Sequence, residues 1–132
     1  QIYNLLKKNL EMDKISRFKY LNEIKKSKIS ISPYGWGEIC PRDFEIFLNG
    51  GILLKPEMKT IDTWPNWYIS NKTYIPFSWD ISNLKTKISY VLNNYSKLKK
   101  IAINSQKKYL YFTTRKKSKN IFVDRFIKLI KH

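Results

Sequence analysis

The chain has 132 residues, 42% of them hydrophobic and 15% aromatic, and 26 Lys/Arg against 10 Asp/Glu give a formal charge of +16. That length supports one hydrophobic core rather than two domains. Cys40 is alone, which excludes an intramolecular disulfide and a cysteine metal cluster; His132 is alone and terminal, which excludes histidine acid–base chemistry; and no apolar run approaches the ~20 residues that cross a membrane.

Residues 2–10 predict a helix with Ile2, Leu5, Leu6 and Leu10 on one side. Residues 14–26 predict a second, with Ile15, Phe18, Leu21 and Ile24 at helical spacing. Residues 28–32, KISIS, read as a strand that stops at Ser32-Pro33, and a glycine loop, Gly35-Trp36-Gly37, follows. Pro41 then opens a helix over residues 41–49, because its missing N–H costs nothing at the first helical position. Asp43 suits the positive end of the helix dipole, and Gly50-Gly51 supplies the stop. Phe44, Phe47 and Leu48 form one predicted apolar face; Arg42, Glu45 and Asn49 share another, at spacings of three and four.

Residues 52–55 predict a short buried strand ended by Pro56, and residues 60–70, with Trp64-Pro65-Asn66-Trp67-Tyr68, a loop or short helix. Residues 73–77 read as another strand. Asp80 or Ser82 then caps a helix carrying Leu84, Ile88, Val91, Leu92 and Tyr95. Residues 97–112 and 119–131 complete a helical C-terminus, with Arg115-Lys116-Lys117 between them. There is no internal repeat and no low-complexity linker. Strands separated by helices predict an α/β fold, a parallel sheet with right-handed crossovers, and ligands beyond the carboxyl ends of its strands. Residues 33–41 and 55–67 then meet at one edge.

That edge concentrates the candidate chemistry. The first backbone N–H groups of a helix lack internal partners and carry partial positive charge, so the loop and helix start at residues 35–42 can hold an anion. A cation, a carboxylate and an amide on one stripe beside it could read a phosphorylated sugar or nucleotide. Each residue also has a plainer reading. Glu45 and Arg42 could be a surface ion pair. Glu38 could be a solvated loop carboxylate, and Trp36 either a loop anchor or a stacking surface. Trp64, Trp67 and Tyr68 read as packing before they read as a sugar platform. Lys55, just after a buried strand, could meet phosphate or snorkel to solvent. Asp80 reads as a helix cap rather than a base.

The ordered set Ser32-Pro33, Gly35-Trp36-Gly37, Arg42, Phe44, Glu45, Gly50 and residues 52–54 resembles the donor-binding half of two-domain, GT-B-type glycosyltransferases. It is particularly similar to the spore-maturation-protein-like group, whose helix has the form R-x-F-E-x-x-x-x-G. The resemblance spans about residues 28 to 96. It implies that residues 1–132 form a single Rossmann-like nucleotide-sugar-binding domain, half of a GT-B architecture with a helical C-terminus. It implies that Glu45 grips the nucleotide ribose and that Gly35, Gly37 and Arg42 hold the diphosphate, with Arg42 stabilising charge on the departing group. Trp36 and Glu38 complete the expected donor site. Many retaining members carry two glutamates eight positions apart; the partner of Glu45 would be Gly37, and Glu38 stands one residue off. The implied activity is hexosyl transfer from a nucleotide-sugar to a glycan or lipid-linked acceptor, as in polysaccharide biosynthesis. Helix-end amides and Arg42 could neutralise the diphosphate, so no metal or cofactor is expected. The chain opens on Gln1, and a further acceptor domain and general base are expected to lie outside it.

Charge is uneven along the chain. Residues 81–132 hold fourteen Lys/Arg against Asp124 alone. Codon bias and a solvated face explain this on one reading; an anionic membrane, an anionic acceptor or nucleic acid explain it on the other. The expected setting is cytoplasmic, with peripheral contact at the inner face of the membrane and no nucleic-acid partner. The competing class is a small basic nucleic-acid-binding module, which nine tyrosines and four tryptophans permit.

Overall fold

The computed structural model describes residues 15–131. The helix expected over residues 2–10 lies outside them. The described elements run α1 (Arg17–Lys26), β1 (Ile29–Ile31), α2 (Pro41–Asn49), β2 (Ile52–Pro56), β3 (Ile75–Phe77), α3 (Leu84–Asn93), α4 (Tyr95–Thr114) and α5 (Lys116–Ile130). The strands form a three-stranded parallel sheet in the order β1-β2-β3, with Ile29 opposite Ile52 and Leu54 opposite Ile75. The expected α/β class with a small parallel sheet and a helical C-terminus is therefore present. No described helix is long and apolar enough to cross a membrane.

Alternation along β2 divides the core. Side chains at successive strand positions point to opposite faces. Ile52 and Leu54 join Ile75, Phe77, Leu84, Val91, Ile101 and Ala102 on one side. Leu53 joins Ile24, Ile46, Phe47, Met58, Tyr68 and Tyr74 on the other. All five residues of β2 are buried, as expected of a central parallel strand covered on both faces. Helix α4 serves both clusters, with Ile101 and Ala102 in the first and Tyr109 against the second.

The two connections between strands differ. Helix α2 links β1 to β2, whereas β2 reaches β3 through irregular chain that holds a cis Trp64–Pro65 bond. Thr73 pins this crossover: its hydroxyl donates to the Trp67 carbonyl at 2.6 Å and accepts from the Ile69 N–H at 2.8 Å. Trp64 and Trp67 pack against Phe112 at centroid distances of 6.0 and 5.8 Å. Tyr68 is buried in the core. These aromatics therefore take their packing role.

Helix α2 has the predicted limits. Pro41 starts it, and Gly50 ends it in the left-handed region with φ 73°. A Cβ on Gly50 would also come within 3.3 Å of Gln106, whose amide donates to the Leu48 carbonyl at 2.8 Å. Of the expected apolar face, Phe47 is buried and Phe44 packs against the core, but Leu48 is corrected. Leu48 is exposed, and the face against the sheet is Asp43, Ile46 and Phe47. In α1, Phe18 is 77% exposed while Ile24 enters the core. Asp80 and Ser82 do not cap α3. The Asp80 carboxylate accepts from the Ser82 hydroxyl at 2.7 Å and N–H at 3.1 Å, which holds its carboxyl below the usual range. Asn83 occupies the cap position of α3 without a side-chain bond to the helix and instead accepts from the Ser78 N–H at 2.8 Å.

Candidate functional site: a cleft at the carboxyl edge of the sheet

The segments after β1 and β2 meet at one edge, as their parallel direction requires. The Tyr34 hydroxyl donates to the Glu57 carbonyl at 2.9 Å, tying the two together. An open cleft of about 470 Å³ lies here, walled by α1, the residue 33–35 loop and the start of α2. Gly35, Arg42 and Glu45 line it. Trp36, Gly37 and Glu38 do not; all three are exposed on the outer part of the loop. Trp36 is fully exposed, which removes its alternative role as a packed loop anchor.

Glu45 is held from α1. Its Oε1 accepts from Arg17 Nη2 at 2.9 Å and its Oε2 from the Tyr20 hydroxyl at 2.9 Å. The ion-pair partner is Arg17 rather than Arg42. Burial, followed by the bond to Glu45, pushes the Tyr20 phenol upward, so Tyr20 stays a donor at neutral pH. Asn49 donates to the Glu45 backbone carbonyl at 2.8 Å and so serves the helix rather than the cleft. Arg42 is exposed one turn before Glu45. Arg17 and Tyr20 stand three apart on α1, and nothing in the local sequence separates them from an ordinary polar helix face.

Beneath the cleft floor lies a group that sequence reading assigned differently. Lys55 is fully buried, neither snorkelling nor open to the cleft. Its Nζ stands 3.0 Å from Asp43 Oδ2 and 3.5 Å from the Ser32 carbonyl it donates to. The ammonium also lies 5.1 Å from the Tyr34 ring centroid. Asp43 is equally buried and accepts from the Tyr68 hydroxyl at 2.7 Å and the Cys40 N–H at 3.3 Å. Burial, then Asp43, drives the Tyr68 phenol strongly upward. Burial, with smaller contributions from Glu38, Glu57 and Asp43, raises Tyr34 to about 12. Among the described residues, Ser32 Oγ is a buried side-chain oxygen without a hydrogen-bond partner.

This arrangement redistributes the anion-binding capacity of the helix start. The Cys40 N–H is taken by Asp43 and the Asp43 N–H by the Cys40 carbonyl at 3.0 Å. The Gly35 N–H is likewise taken, by the Gly37 carbonyl at 3.2 Å, so an incoming anion would depend on the Arg42 and Arg17 side chains more than on these amides. Tyr34 also meets Trp79 with ring centroids 3.8 Å apart, and Trp79 is half exposed. No group of three His, Cys, Asp or Glu among the described residues could hold a metal ion. The chain matches no protein-family model and no curated protein.

Proposed function

We propose that this chain is the donor-binding domain of a GT-B-type glycosyltransferase, binding a nucleotide-sugar for transfer to a glycan or lipid-linked acceptor. The observation that carries the reading is the placement of Glu45 and Arg42 one turn apart on α2, in a cleft at the carboxyl edge of a parallel sheet. A carboxylate fixed by Arg17 and Tyr20 is pre-organised to accept hydrogen bonds from the vicinal hydroxyls of a ribose. Arg42 supplies a fork that fits a diphosphate and would stabilise charge on the leaving group. Gly35 lets the phosphate approach the backbone. The exposed Trp36, Gly37 and Glu38 would contribute by the loop folding over a bound donor. Calorimetric titration with a panel of nucleoside diphosphates and their sugar conjugates tests this. Saturable binding by one of them is expected, and Glu45→Gln or Arg42→Ala should weaken it by ~1.5–3 kcal/mol without unfolding the domain. No saturable binding at millimolar concentration by the folded protein would refute the reading.

A further inference from the structure

The last helix presents an apolar face that the domain leaves largely uncovered from Phe126 onward. Every residue from 119 to 131 is exposed. Phe122, Val123, Phe126, Ile127, Leu129 and Ile130 gather on one side of α5 at 3.6 residues per turn. Leu129 and Ile130 are 65% and 66% exposed, and Phe122 and Phe126 stack with centroids 6.2 Å apart. A stripe of this kind would ordinarily fold back onto the core. Here the helix is tied down only as far as Arg125. The buried Ser118 hydroxyl donates to the carbonyls of Arg115 and Phe112, and Phe122 and Arg125 meet Trp64 at 5.8 and 5.2 Å. Arg115 is the one non-helical residue between α4 and α5.

Charge selects the occupant of this face. Helix α5 carries Lys116, Lys117, Lys119, Arg125 and Lys128 against Asp124, and Lys131 follows. Arg125 and Lys131 border the apolar stripe on its two sides. An apolar stripe of Phe, Leu and Ile edged by cations, too short and too charged to span, has the composition of a helix that lies in the plane of a bilayer surface. Cations on the borders can extend to lipid phosphates while the stripe enters the acyl boundary.

We propose that α5 is an in-plane anchor that docks the domain on an anionic lipid surface, with the stripe from Phe126 to Ile130 shallowly inserted. The inference is independent of the nucleotide reading, because it concerns another face and is measured without nucleotide. Charge recruits the helix and apolar burial retains it.

Co-sedimentation of the full chain with phosphatidylcholine vesicles, with and without about one quarter phosphatidylglycerol, tests the proposal. Binding is expected on the anionic vesicles and at least roughly tenfold weaker on the neutral ones, since each Lys or Arg near such a surface contributes ~1 kcal/mol. The exposed-face variant F126S/L129S should lose roughly tenfold or more on anionic vesicles while its circular dichroism matches the parent. Parent binding that is equal on both vesicles removes the charge requirement and overturns the proposal. Unchanged binding by F126S/L129S removes the apolar one and overturns it equally. A parent that sediments with neither vesicle refutes it outright. So does a parent dimer in analytical ultracentrifugation that the variant abolishes, since a second copy would then occupy the face.

Discussion

The buried pair of Lys55 and Asp43 gives the sharpest test of how the fold supports the cleft. Lys55→Met keeps the aliphatic stem and removes the cation, leaving the Asp43 carboxylate fully buried with only the Tyr68 hydroxyl and the Cys40 N–H for partners. Breaking such a pair from one side costs about 3–5 kcal/mol, because the remaining charge stays in a low-dielectric site. For a domain of this size that lowers the melting temperature by roughly 12–20 °C. Asp43→Asn added to Lys55→Met removes the orphaned charge, and the amide oxygen can still accept from Tyr68. The double variant should therefore be more stable than Lys55→Met alone by about 2 kcal/mol. Urea unfolding of the four proteins, followed by circular dichroism, supplies the double-mutant cycle. As a control, Lys59→Ala breaks the exposed Lys59–Glu57 contact at 3.5 Å and should change stability by less than ~1 kcal/mol. A cost below ~1 kcal/mol for Lys55→Met, or additive single effects, would show that the pair is solvated and that this reasoning is wrong.

Three further outcomes are expected. Gly50→Ala should destabilise by about 1–2 kcal/mol, since a Cβ at φ 73° is strained and crowds Gln106; chemical denaturation reads this directly. Tyr20, Tyr34, Tyr68 and Tyr74 all have phenols raised above their unfolded value. Between the unfolded value near ~10 and the higher folded values the native state binds more protons, so this stability is intact below pH ~10 and is lost as pH rises further. Urea midpoints that fall from about pH 10 upward, with tyrosinate absorbance arriving together with unfolding, are the expected readout; full tyrosine titration of a still-folded protein would contradict it. Tyr20→Phe should weaken nucleotide binding less than Glu45→Gln, because Arg17 still orients the carboxylate, and parallel titrations compare the two.

Much of the local framework is legible in the sequence. Pro41 and Gly50 delimit α2 because one lacks an N–H and the other tolerates a left-handed φ, and both properties belong to single residues. The apolar run after Gly51 is a buried strand because β2 is covered on both faces, and Gly35, Arg42 and Glu45 share the cleft because strand direction places them at one edge. Tertiary structure decided the rest. Periodicity gives spacing without choosing among overlapping stripes, so α2 could bury Leu48 or Ile46, and docking on the sheet chose Ile46 and placed Asp43 beside it. Lys55 lies twelve residues from Asp43, and Arg17 lies twenty-eight from Glu45, so no local pattern announces either pair. Their formation depends on which helix covers which face of the sheet. The same holds for α5. Its amphipathic pattern predicts a helix, but only the packed domain shows that its apolar side stays exposed beyond the contact of Phe122 with Trp64, because the faces of the sheet are already filled by α1, α2, α3 and α4.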